Sequence, residues 1–127
     1  MNENAALFFV DRHVDSHIKE KKAFIEYGSK QKFITYADLY EQSSKLRHFF
    51  SKFKINREDR VIILMQDVIS YPIIFWGCLK SGVVPVLLNT LLSSEVVNDI
   101  INNSRAKAVF ISSGLLSSFE NSVKKNV

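Results

Sequence analysis

The chain has 127 residues, 46% of them hydrophobic and ten of them Phe, which suits one domain with a buried core and excludes a disordered segment. The formal net charge of +4 comes from Lys and Arg scattered over several elements; without a clustered patch or a recognition motif, nucleic acid is not an expected partner. The single Cys rules out an internal disulfide and fits a cytoplasmic location; no run approaches the ~20 apolar residues of a membrane span, and Ala5 to Val10 is too short for a secretory signal.

In chain order, Asn4 caps a predicted helix running to about His17, with Leu7, Val10, Val14 and either His17 or Ile18 on one face. After a charged exit, residues 23–27 and 32–35 read as two short strands of a hairpin around Gly28. Thr35 and Asp38 form the pattern of a capping box. The helix behind it carries Leu39, Leu46, Phe49, Phe50 and Phe53 on one stripe, with Ser43 as a small gap, and ends near Lys54. Val61 to Met65 is an unbroken apolar run, the mark of a strand covered on both faces. A mostly apolar helix follows from Val68 to Ser81 and stops at Gly82; Pro72 fits its first turn if it starts near Ser70 or Tyr71. Val83 to Leu88 is the second strand, so this βαβ unit predicts parallel pairing and a right-handed crossover.

Ser93 then caps a helix with Glu95 in its first turn and Val96, Val97, Ile100 and Ile101 buried. Ala106 to Ile111 is the third strand. Ser112 to Gly114 opens a weak helix or loop, the chain turns polar from Ser117, and its end is expected to fray. The expected fold is α/β, a partial doubly wound sheet with a three-stranded parallel core beside an N-terminal helix and β-hairpin. The predicted core is Leu39, Leu46, Phe50, Val61, Ile63, Leu64, Ile74, Leu79, Val84, Val86, Val97, Ile100, Ile101, Val109 and Ile111.

The chemistry is read mostly from what is missing. Four glycines at 28, 77, 82 and 114 never fall two to a short loop, so neither a Walker loop nor Gly-x-Gly-x-x-Gly exists. The turn from Gln66 to Ser70 has no glycine to admit a pyrophosphate, which disfavours the usual dinucleotide mode. Asp67 stands alone, without the adjacent carboxylates of a response regulator. His13 and His17 share a helical spacing that can chelate zinc, yet the Glu of a metalloprotease motif and a third ligand are missing, so no metal site is expected. Asp11, Arg12 and Asp15 read as exposed helix charges, His48 as surface, and Phe75 and Trp76 as core against the sheet. Cys78, inside an apolar helix, reads as a small hydrophobe rather than a catalytic thiol. Function in such sheets sits at the carboxyl ends of strands, which draws attention to Gln66, Asp67, Asn89 and Thr90. Asn89 is the best single residue: its amide can hold a loop or face a cleft, and loop-holding is preferred.

Asp59-Arg60-Val61 followed by Leu79-Lys80-Ser81-Gly82-Val83-Val84-Pro85-Val86-Leu87-Leu88-Asn89 resembles the amino-terminal part of adenylate-forming enzymes, the acyl- and aryl-CoA ligases and their relatives. Phe33 to Leu39 is similar to a helix start in that superfamily. Asn4 to Val14, Phe75 to Leu79 and Asn89 to Leu92 look closest to the benzoate-CoA ligase branch. The resemblance implies a parent enzyme that activates a small carboxylic acid with ATP and Mg²⁺ to an acyl-adenylate and passes it to CoA. It also implies that residues 1–127 are the incomplete first part of the large domain, a fragment inactive alone, with the rest of the ligase chain as its partner and self-association possible in its absence. The family's phosphate loop, adenine-binding segment, ribose-binding Asp and catalytic Lys lie beyond the matched region, so no catalytic, cofactor-binding or metal residue carries over, and none of these cofactors is expected on the fragment. The loop Asn89, Thr90, Leu91 is the position nearest the parent active site or CoA path. Some aryl-CoA ligases place an Arg where Leu91 stands, and Leu91 cannot make that phosphate contact. The alternative reading is a non-catalytic, flavodoxin-like binding or interaction domain.

Overall fold

A computed structural model of the chain describes residues 4–127. The unbroken apolar run becomes β3 (Arg60–Leu64), flanked by β4 (Val84–Leu87) and β5 (Ala108–Ile111) in the order β4-β3-β5. Both pairings are parallel, with Val61 opposite Pro85 on one side and Ala108 on the other. Successive β3 residues face opposite layers. Ile62 and Leu64 pack with Val97 and Ile101 of α4 (Ser94–Ser104) and Phe119 of α5 (Ser113–Asn126). Val61 packs with Phe50 of α2 (Tyr36–Lys52) and Cys78 of α3 (Ser70–Ser81). Each such aliphatic side chain contributes about 1.5–3 kcal/mol on full burial, and every residue from Val61 to Met65 is buried. The α/β fold is thus a three-stranded parallel sheet with helices on both faces.

The local signals act as expected at several boundaries. The Thr35 hydroxyl accepts the Asp38 N–H at 3.1 Å, and the Asp38 carboxylate accepts the Thr35 N–H at 2.9 Å, closing the capping box of α2. Pro72 is the third residue of α3, where no donor is needed, and Gly82 ends that helix at φ 72°. The amides of Val84 and Leu88 donate to Asp59 and Ile63 carbonyls at 2.9 and 3.1 Å, so the even-numbered residues of β4 face β3. Pro85 therefore turns to the free edge, where its missing N–H breaks no ladder bond.

Four expectations are corrected. The first helix is only α1 (Ala5–Phe9), followed by a 3-10 turn at Asp11–His13, and does not reach His17. Val10 is drawn instead into a buried cluster with Ile34 and Leu39, and the Ser16 hydroxyl bonds the His13 carbonyl and the Ile18 amide, satisfying the backbone without a helix. On α2, Phe49 and Phe53 are exposed while Ser43 is fully buried, because the stripe facing α3 runs through Leu39, Ser43, Leu46 and Phe50. Val84 and Val96 are exposed, at the sheet edge and on the outer side of α4. The polar tail is helical: Leu115, Phe119, Ser122 and Val123 recur at helical spacing and pack on α4, with the Ser122 hydroxyl donating to the Ser94 carbonyl at 3.1 Å. The hairpin β1 (Lys22–Glu26) and β2 (Lys32–Thr35) forms as predicted, antiparallel and apart from the main sheet.

Candidate functional site

At the carboxyl end of β4 the Leu88 amide makes the last ladder bond, and the chain then turns sharply. The Asn89 side-chain oxygen accepts the Leu91 N–H at 2.9 Å, and the Asn89 carbonyl accepts the Leu92 N–H at 3.2 Å. Asn89 thus holds the loop, as its residue type predisposes it to do. Leu91 points outward and is 90% exposed. Asn89 and Thr90 meet Met65, Asp67, Tyr71, Leu87 and Leu88 around a hollow of about 370 Å³. The structure therefore joins the two strand exits flagged by topology and leaves Leu91 outside the hollow. Burial, helped by the nearby Asp67 carboxylate, pushes the Tyr71 hydroxyl above its ordinary value.

A second cleft of about 450 Å³ shares Asp67, Tyr71 and Leu87 with this hollow and opens between β1 and the start of α3. Phe24 and Ile25 come from β1, and Val68, Ile69, Pro72, Phe75 and Trp76 from the α3 side. Glu26 of β1 ties the two walls together, its Oε2 accepting the Ile69 N–H at 2.9 Å. Phe75 and Trp76, expected as core against the sheet, instead line this open cleft, and Trp76 packs on the cluster of Val10, Ile34 and Leu39. Glu26, Phe24 and Tyr71 escaped the sequence reading, because no local spacing signals a contact between residues 43 apart in the chain.

The turn after β3 does not fit nucleotide phosphates. Its Gln66 amide donates to the Ser112 hydroxyl at 3.0 Å, Val68 to the Gln66 carbonyl at 2.8 Å, and Ile69 to Glu26. A phosphate cradle needs such amides unengaged and a close backbone approach, and here Asp67 and Glu26 add negative charge. The exposed apolar Leu91 offers nothing to a CoA phosphate.

Other flagged residues resolve individually. His13 stacks edge-on against Tyr36 at 4.9 Å between ring centres, and His17 is exposed. With no helix across both, their chelating spacing is lost. Among the described residues no group of three His, Cys, Asp or Glu is placed to hold a metal ion. Cys78 is buried, which pushes its thiol up to about 12. Asp11 corrects its expectation: rather than an exposed charge it is a largely buried partner of Lys80, Nζ to Oδ1 2.6 Å, with side chains 19% and 7% exposed. Ser44 Oγ accepts from the same ammonium at 2.9 Å, and Tyr40 lies under it at 4.5 Å. The geometry knits the 3-10 turn after α1 to α2 and α3 at the end of the molecule where α3 stops. Among the described residues no helix is long and apolar enough to cross a membrane.

Comparison with known proteins agrees with the fold. The AMP-binding enzyme family matches residues 10–127. A 4-hydroxybenzoate–CoA/benzoate–CoA ligase of Rhodopseudomonas palustris is 34% identical over 113 residues, which is 89% of this chain and 20% of that protein. A long-chain-fatty-acid–CoA ligase of Haemophilus influenzae is 29% identical over 87% of this chain and 19% of its own length. The crystal structure of a benzoate CoA ligase from Burkholderia xenovorans LB400 superposes with a TM-score of 0.86 at 26% identity, over 95% of this chain and 24% of that one. The chain spans about a fifth of the length of the curated relatives it matches. With a family match that covers all but its first nine residues, the chain belongs to the AMP-binding enzyme family.

Proposed function

We propose that residues 1–127 serve as the first part of the large domain of an ATP-dependent carboxylic acid–CoA ligase, acting in the cytoplasm on an aromatic acid of the benzoate type. The observation that carries this reading is the match, in order, of the whole sheet and its flanking helices to a benzoate CoA ligase, together with a relative named for benzoate at 34% identity. The contribution of this segment is architectural. It sets the parallel strands β3 and β4 so that the Asn89 loop and the Asp67 turn meet at one end, where folds of this kind bind ligands. The groups that handle ATP, Mg²⁺ and CoA lie in the rest of the ligase, since the amides of the turn after β3 are already engaged and Leu91 is apolar. On this reading the 127-residue chain is inactive alone, and its exposed Phe8, Phe9, Phe53 and Leu87 favour self-association when nothing covers them.

The test expresses the complete reading frame that encodes these residues and assays acid-dependent AMP release and thioester formation. Benzoate is expected to outperform acetate and hexadecanoate, and the purified 127-residue chain is expected to show no ATP–pyrophosphate exchange. Exchange by the chain alone, or a full product that makes no acyl-adenylate, overturns the reading; a preference for a fatty acid overturns the benzoate part of it.

A further inference from the structure

The cleft between β1 and α3 has walls and charge that suit a ligand unlike the acid of the proposed reaction. Its volume of about 450 Å³ falls in the range of small-molecule sites. The aromatic side chains of Phe24, Tyr71, Phe75 and Trp76 line it, and none of its lining residues is cationic. Its charged groups are the carboxylates of Glu26 and Asp67. Both sit at the meeting of β1 with the turn after β3, where the Glu26–Ile69 bond of 2.9 Å fixes the spacing of the walls. Aromatic faces carry negative quadrupole potential and attract cations, Trp most strongly. Carboxylates beside such faces add to that attraction and repel a carboxylate ligand.

We propose that this cleft is a binding site for a small arylalkyl ammonium ion, with its ring between the aromatic walls and its ammonium beside Asp67 and Glu26. The charge that selects such a cation excludes benzoate and its analogues from the same cleft. The inference stands on the lining residues alone and does not depend on the ligase reading.

Trp76 is the only tryptophan of the chain and a wall of the cleft, so its fluorescence reports occupancy. The 127-residue protein is titrated at neutral pH with phenethylamine, with its neutral analogue phenethyl alcohol and with the anion phenylacetate. Phenethylammonium is expected to give a saturable change and to bind about tenfold tighter than the alcohol, the gain an ion held against aromatic faces and a carboxylate can bring. Phenylacetate is expected to give no saturable change. Asp67→Asn, at an exposed position, should bring the ammonium ion close to the affinity of the alcohol and leave the alcohol unchanged. Equal binding of all three probes, tighter binding of phenylacetate, or an ammonium affinity indifferent to Asp67→Asn overturns the proposal. Were that variant to lose its fold, the ranking of the three probes on the unmodified chain decides alone.

Discussion

Replacing Gly77 with alanine tests how closely α2 and α3 approach. A Cβ built on Gly77 would lie 2.4 Å from Leu46 Cδ1, 2.9 Å from its Cβ and 3.2 Å from its Cγ. The methyl can swing aside by a rotamer change. The Leu46 Cβ cannot, because it is fixed to the α2 backbone, so α2 must withdraw to restore ordinary contact. That withdrawal loosens Phe50, Cys78, Val61 and Val83, which form the buried cluster under the two helices. Alanine gains about 1 kcal/mol in helix propensity over glycine, while forcing an extra group into a packed interior costs about 1–3 kcal/mol. Here the clash reaches a backbone-anchored atom, so the upper end applies and the net loss is about 1–2 kcal/mol. Urea unfolding should show a lower midpoint with an unchanged slope. Adding Leu46→Gly removes the clashing Cβ itself, so the second substitution should cost at least about 1 kcal/mol less in the Gly77→Ala background than in the parent. A Gly77→Ala protein as stable as the parent, or strict additivity in the double variant, would refute the packing argument.

Three further outcomes are expected. Lys80→Met strands the Asp11 carboxylate in a largely buried site and should cost about 3 kcal/mol or more, with Asp11→Asn restoring much of the loss in chemical denaturation. Cys78 has an ordinary thiol value of 9.0 that burial raises to about 12. Between these the folded chain keeps the proton and the unfolded chain does not, so the contribution is full below about pH 9 and declines on raising the pH through that window, by about 1.4 kcal/mol per pH unit for this group; alkylation by iodoacetamide at neutral pH should require unfolding, which mass spectrometry with and without urea will reveal. Arg105 ends α4 at φ 52°, a left-handed conformation that a side chain resists, so Arg105→Gly should raise stability by about 0.5–1 kcal/mol in a thermal melt.

The sheet was legible because its signals are local and strong. Val61 to Met65 admits little but a doubly covered strand, Gly82 marks a helix end, and Thr35 with Asp38 fixes another helix start. Asn89 was readable for the same reason, since its side chain acts on the amide two residues along. What escaped depends on distant contacts. Asp11 looks like a helix charge until the short turn after Phe9 carries it onto Lys80. Phe49 and Phe53 share the apolar stripe of α2 with Leu46 and Phe50, and only the position of α3 shows that the buried face runs through Ser43 and Leu46 and leaves those two rings exposed. The polar surface of α5 hid the stripe of Leu115, Phe119 and Val123. The cleft of Phe24, Glu26 and Trp76 was beyond reach, because a hairpin and a helix start meet there without any local pattern in either.

Pro85 gives the sheet a preferred direction of growth. By the same alternation, the Lys107 amide faces Arg60 at 2.8 Å, so the peptide groups of Ala108 and Phe110 turn away from β3 on the opposite margin. β5 has a strand neighbour only on its β3 side among the described residues. A strand laid beside β4 would find a ring carbon where it needs a donor, whereas one laid beside β5 would find donors and acceptors in regular order. The proline thus guards one flank against unwanted pairing and leaves lateral extension to the other.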